Sequence, residues 1–169
     1  MKLIDLTHTI SRKPDAQETP HVVVRSRQAI DRVKLERLVT LASVVDLTRR
    51  VDQAEVSRAD VSRFGLAGIG GCILRTDWCD KMLAGCGEPP PRLAVDAAAY
   101  LLENGVSTVA ADFPIRSAGA DLLLHNNCVL VECVSGVADL TAEIVRLIAL
   151  PLKLEGVFSA EARVIALEE

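Results

Sequence analysis

In "KLIDLTHTI", residues 2–10, apolar and polar positions alternate, which predicts an opening strand because successive strand side chains point to opposite faces. The polar "SRKPDAQETP" carries two prolines and reads as a loop, and "HVVVRSR" reads as a short strand. In "KLERLVTLASVVDLTRR" a helical turn around Leu35 to Leu38 gives way to a buried strand over 42–47. "SRADVSRFG" places Asp60 three residues after Ser57. That is capping-box spacing for a helix start, with Gly65 as its stop. "GGCILRTDW" is a buried strand led by glycine, and "CDKMLAGCGEPPPR" is a loop stiffened by three prolines at 89–91. "LAVDAAAYLLENG" is rich in helix formers and stops at Gly105, and "VSTVAAD" follows as a strand. Strand, helix and strand between 70 and 112 predict a βαβ unit with parallel pairing. Asn126 and Asn127 predict a turn before the strand of "NNCVLVECV". "LTAEIVRLIAL" reads as a helix and "ARVIALE" as a closing strand. With no internal repeat and no linker, residues 1–169 are expected to form a single α/β domain.

Composition narrows the chemistry. Half of the 169 residues are hydrophobic but only 3% are aromatic, so the core must be aliphatic. So few rings exclude a platform for stacking single-stranded bases. Net charge is −4, and the most basic stretch, "VVVRSRQAIDRVKLERL", is interrupted by Asp31 and Glu36. It reads as a solvated face, so no nucleic-acid partner is expected. "MKLIDLTHTI" is too polar for an export signal, and no apolar run approaches the ~20 residues of a membrane span. Five cysteines without a C-x-x-C pair suggest reduced thiols and a cytoplasmic location. Cys72, Cys79 and Cys86 recur every seven residues but do not share one element.

Six stretches, in order, resemble one family, the cyclase or kynurenine-formamidase-like metal-dependent hydrolases. They are "LIDLTHTIS", "AIDRVKLERLVTLASVVDLT", "GGCILRTDW", "AVDAAAYLLENGVSTVAADFP", "LVECVSGVADL" and "ALPLKLEGVFSAEARVIALEE". Asp77 stands where the third stretch usually carries Gly. The resemblance implies a swivelling β/β/α cyclase-like domain with a mixed sheet, flanking helices and an oligomeric assembly. It also implies a divalent metal, zinc or manganese, that activates water to hydrolyse an amide or lactam.

The residues for that chemistry are another matter. The family signature, His-x-Gly-Thr-His-x-Asp, gathers imidazoles and a carboxylate on one cation, which brings the pKa of bound water towards neutrality. Here the only histidines are His8, His21 and His125, and no two lie within four residues of each other. The resemblance places the signature between "TPHVVVRSRQ" and "AIDRVKLERL", which abut in this chain. The family's further His falls at Ala120, which leaves Glu132 as the one retained candidate ligand. His125 does not replace it readily. Cys128 and Glu132 on one strand are ~13 Å apart at ~3.3 Å per residue, too far to share one ion.

His8 and His125 therefore remain only candidate catalytic residues, and Arg75, Thr76 and Trp78, at a strand end, are candidates for a substrate pocket. Arg163 is expected to pair with a buried carboxylate such as Glu132 or Asp112, because an unpaired one is very costly. The leading expectation is a non-catalytic binding or assembly protein, a pseudoenzyme of the family with no metal cofactor. It would form a homo-oligomer and bind a small molecule. The alternative is a divergent arylformamidase-like hydrolase using Zn or Mn at a site rearranged around Glu132. A third arrangement completes its pocket only with a partner chain.

Overall fold

The computed structural model describes residues 1–10, 20–49 and 54–169. The elements are β1 (Lys2–Asp5), β2 (Val23–Arg25), α1 (Leu35–Leu38), β3 (Val39–Asp46), β4 (Glu55–Val56), α2 (Arg58–Val61), β5 (Gly71–Arg75), α3 (Trp78–Leu83), β6 (Arg92–Leu93), α4 (Val95–Glu103), β7 (Thr108–Ala111), α5 (Ala118–His125), β8 (Val129–Glu132), β9 (Ile144–Pro151) and β10 (Ser159–Glu168). Eight strands run in the order β1-β10-β2-β8-β7-β5-β3-β9, and β9 pairs again with β10. Seven strands thus close into a barrel-like ring, and β1 lies outside it as an extra strand on β10. β3, β5, β7 and β8 are parallel to their neighbours in that group, whereas β1, β2, β9 and β10 pair antiparallel. β4 and β6 make a separate two-stranded parallel pair.

Side-chain alternation divides the apolar residues into two cores. Inside the ring lie Val24, Ala42, Ile73, Ala110, Val131, Leu147 and Val164. On the other face of the parallel strands, Val45, Leu74, Val109 and Leu130 pack against Val61 of α2, Leu101 of α4 and Leu123 of α5. β7 and β8 are buried at every position, as parallel strands covered on both faces must be. The βαβ unit is present: α4 connects β5 to β7, and those strands pair in parallel from Gly71 opposite Thr108 to Leu74 opposite Ala111. The capping spacing at 57–60 is also realised, with the Ser57 N–H donating to the Asp60 carboxylate at 2.9 Å. The helix it starts ends at Val61, before the expected stop at Gly65. Among the described residues no helix is long and apolar enough to cross a membrane.

Three local expectations are corrected. "LTAEIVRLIAL" contains a strand, β9. Val145, Leu147 and Ala149 point inward at a strict period of two between two antiparallel neighbours, and the β-branched Ile144, Val145 and Ile148 suit that surface. The helical spacing of Leu140, Ile144 and Leu147 is coincidental. Residues 118–125, to which the sequence pattern assigned no element, form α5. Ser117 caps this helix, accepting the Ala120 N–H at 3.3 Å and donating its hydroxyl to the Leu93 carbonyl at 2.7 Å. Trp78–Leu83 is a helix, where the sequence suggested loop. The opening strand ends at Asp5, so His8 lies beyond it, and the expected loop over 11–19 falls outside the described residues.

α5 sits close against the segment that leads into α4. A Cβ added to Gly119 would lie 2.4 Å from the Leu93 carbonyl oxygen and 2.7 Å from that of Ala94. Backbone cannot yield as a side chain can. Gly119→Ala is therefore expected to destabilise the fold by about 1–3 kcal/mol through overpacking. Thermal melting of the variant checks this, and an unchanged Tm would count against the close approach.

Candidate functional site

The parallel strands β3, β5, β7 and β8 all end at one rim, the end of an α/β sheet where ligands are usually met. At or just past those ends stand Asp46, the run Arg75-Thr76-Asp77, Asp112 and Glu132. Asp112 is the hub. Its carboxylate accepts the Thr76 N–H and hydroxyl, each at 2.7 Å, and the Asp77 N–H at 2.5 Å. Burial pushes its pKa up to about 6, although the three hydrogen bonds from Thr76 and Asp77 pull the other way. Asp77 adopts a left-handed backbone, φ 60°, and starts α3. Its carboxylate accepts Arg75 Nε at 2.8 Å, while Asp46 accepts Arg75 Nη1 at 3.3 Å. These contacts hold the Arg75 guanidinium above its ordinary pKa. The Trp78 indole N–H donates to the Glu88 carbonyl at 3.0 Å and ties the proline-rich loop to the rim.

The three expected pocket residues are thus neighbours, but of the three only Arg75 lines the cavity at this rim. That cavity, of about 550 Å³, is bounded by Ser43, Asp46, Arg63, Phe64, Arg75 and the segment 140–144. Thr76 is spent on Asp112, and Trp78 packs against the outer core.

Glu132 is 4% exposed and faces a cation supplied by the chain itself. Arg25 Nη2 lies 2.6 Å from Glu132 Oε1 and donates to the Ile115 carbonyl, also at 2.6 Å. Burial raises the Glu132 pKa, and the charges of Arg25 and Arg116 pull it back. The expected partner was Arg163, which instead grips Asp5 through two bonds of 3.0 and 2.5 Å. The reason is register. Antiparallel pairing of β2 with β8 sets Val23 opposite Glu132 and Arg25 opposite Leu130, on one face. Parity in "HVVVRSR" puts Val23 and Arg25 together, but nothing in the sequence announces that β2 lies beside β8.

The histidines are dispersed. His125 ends α5, exposed, with Nδ1 2.7 Å from the Asp121 carbonyl. His21 is exposed and pairs with Glu161 at 2.5 Å. His8 is half-buried, its Nε2 without a partner, and burial lowers its pKa against the pull of Asp80. Ala120, at the family's histidine position, is on the buried face of α5. Among the described residues no group of three or more His, Cys, Asp or Glu side chains could hold a metal ion. The side chains around Glu132 therefore do not fit the divalent metal that the fold implies: its carboxylate has a guanidinium, not two imidazoles, for company.

The family described as "Putative cyclase" matches residues 4–115. The chain belongs to that cyclase family. Solved structures agree on the fold. A "potential metal-dependent hydrolase with cyclase activity" superposes with a TM-score of 0.76 at 20% identity, over 98% of this chain and 96% of its own. A "predicted metal-dependent hydrolase" from Bacillus stearothermophilus gives 0.73 at 19%, over 98% and 97%. Isatin hydrolase A from Labrenzia aggregata, bound to benzyl benzoate, gives 0.77 at 16%, over 99% and 94%. No curated protein matches the sequence. The sequence resemblance and the expected cyclase-like α/β fold with mixed sheet and flanking helices therefore hold, and this cyclase-family chain carries its charged residues on the shared scaffold.

Two outcomes follow from the rim. Arg25→Ala leaves the Glu132 carboxylate buried without its cation and should cost about 3–5 kcal/mol, while Glu132→Gln should cost less. Chemical denaturation measures both, and equal small losses would dismiss the pair as structural glue. Asp112 binds protons more tightly in the fold than in the unfolded chain. Its contribution to stability is therefore present at about pH 4 and declines as pH rises towards about 6. The Tm advantage of the wild type over Asp112→Asn should shrink across that window, and a widening gap would show that the carboxylate stays ionised.

Proposed function

We propose that this chain is a non-catalytic binding or assembly member of the cyclase family, a pseudoenzyme that keeps the barrel without the family's metal chemistry. The observation that carries this reading is the Arg25 guanidinium 2.6 Å from the Glu132 carboxylate. A fixed cation fills the role a metal ion would have as counter-charge to that buried acid. A guanidinium cannot act as a Lewis acid on water, because it has no vacant coordination position. In this reading the rim cavity beside Arg63 and Arg75 takes a small molecule. Among the described residues Arg63 has no ion-pair partner there. The chain assembles with copies of itself through the uncovered outer face of β3 and β9, where Val39, Leu41, Ile144 and Leu150 are exposed.

A second reading has a specific observation behind it. His8 has an Nε2 without a partner and a pKa lowered by burial, and burial pushes the Asp112 pKa up to about 6. Such groups can move protons, so a divergent amide or lactam hydrolase with a rearranged Zn or Mn site near Glu132 is the rival.

Metal analysis and an isatin-hydrolysis assay on the purified full chain, with Zn²⁺ or Mn²⁺ added, separate the two. The expected result is no stoichiometric metal and no turnover above buffer. Turnover abolished by Glu132→Gln in a variant that still folds would overturn the proposal in favour of the hydrolase. Light scattering tests the assembly: a dimer or larger species is expected, and a monomer at micromolar concentration counts against it.

A further inference from the structure

We propose that Cys79 and Cys133 are a dithiol pair that closes to a disulfide under peroxide and locks the first turn of α3 to the end of β8. Four observations converge on these two side chains. The Cys79 N–H donates to the Asp112 carbonyl at 3.2 Å and the Cys133 N–H to the Phe113 carbonyl at 3.5 Å. Both backbones thus hang from consecutive carbonyls of one strand end. β5 and β8 flank β7 on opposite sides, so the residues that follow those two strands must bend over β7 to meet. That bend is visible in the backbone. Among the described residues only three non-glycine residues have positive φ, and two of them are Asp77 at 60° and Cys133 at 59°. Each stands where its chain leaves the sheet. Strained backbone of this kind is costly and persists only where the surroundings enforce it. Finally, the Cys133 thiol is the largest influence on the Cys79 thiol, which it pushes up.

The remaining cysteines serve as internal controls. Cys86 is exposed and lies in the proline-rich loop. Cys72 is fully enclosed in the outer core, and the Cys128 thiol donates to the Val106 carbonyl at 3.4 Å. The metal reading around Glu132 involved neither Cys79 nor Cys133, and the pair does not depend on any activity at Glu132.

The chemistry balances with a peroxide as oxidant. Cys133 is 8% exposed against 1% for Cys79, so it meets the oxidant first. Its thiolate attacks hydrogen peroxide, breaking the O–O bond, to give a sulfenic acid and hydroxide. The Cys79 sulfur then attacks the sulfenic sulfur, the S–S bond forms, and the sulfenic oxygen leaves as water with the Cys79 proton. Two thiols are oxidised by two electrons and one peroxide is reduced to two waters. The neighbouring Cys133 thiol and burial push the Cys79 thiol up, and since the thiolate is the attacking form, closure quickens as pH rises.

The experiment uses the full chain carrying Cys86→Ser, which removes the exposed thiol. Protein is treated with hydrogen peroxide at pH 7 and pH 9, and remaining thiols are alkylated after denaturation. It is then cut with trypsin and a glutamate-specific protease. The second enzyme cuts after Glu132 and so separates Cys128 from Cys133. A loss of two hydrogens in intact mass and one linked pair, Cys79 with Cys133, are expected, faster at pH 9. The oxidised protein should melt ~5 °C or more higher, reversed by dithiothreitol. Cys133→Ala should abolish both changes, and because the linkage is mapped without that variant, its failure to fold would not obscure the answer. A Cys72–Cys128 linkage, sulfinic or sulfonic acid at Cys133 without a linkage, four unmodified thiols, or a Tm that does not rise would each overturn the proposal.

Discussion

The last strand has to pair on both edges at once, and the rest of the architecture follows from it. β10 gives one edge to β9 from Ala162 to Leu167. On the other edge Ser159 to Glu161 take β2, and Ile165 to Glu168 take β1. Without β10, β2 and β9 would be open strand edges on an aliphatic core, a surface that pairs with other chains. With it, the ring is shut, and β2 is held beside β8. That adjacency is what delivers Arg25 to Glu132. The ion pair at the rim thus depends on pairing made by the ten residues of β10.

Closure also decides which side chains can meet at the rim. Parity along β7 and β8 sends Asp112 and Glu132 to different sides of the sheet wall, since Ala110 and Val131 face the interior while Leu130 faces the helices. Asp112 is turned to Thr76 and Asp77 of the neighbouring strand end, and Glu132 to the guanidinium on β2. The two buried carboxylates at the rim thus meet different neighbours, hydrogen-bond donors for Asp112 and a guanidinium for Glu132. Buried acids left unsatisfied would be far more costly than the few tenths of a kcal/mol that separate alternative surface arrangements.

The parts of this arrangement that sequence could reveal are the local ones. The βαβ unit from β5 to β7, the turn at Asn126 and Asn127 and the capping pair at 57–60 depend on residues close in the chain, and each can be read there. β9 is misread because its outward face is also apolar, so its alternation is masked and a helical period fits by chance. α5 hides for a related reason: Leu122, Leu123 and Leu124 look like strand core, and its start depends on Ser117 reaching the distant Leu93 carbonyl. At the site, Arg75, Thr76 and Trp78 are legible as a strand end, whereas Arg25 is not. Its role is fixed by a pairing between residues more than a hundred positions apart, which no local pattern encodes.

Glu132 shows how a buried carboxylate can be met by a cation from its own chain. A buried carboxylate tolerates few replacements, because removing its counter-charge while it remains is costlier than either keeping or deleting both. A metal ion and a guanidinium are alternative ways of meeting that demand, and they are mutually exclusive in the same space. A guanidinium is a permanent cation, present whatever the metal supply, and its fork donates to a backbone carbonyl as well, here that of Ile115. With Arg25 in place, the buried carboxylate has a counter-charge within the fold, and removing that guanidinium alone would leave it exposed to the full cost of burial.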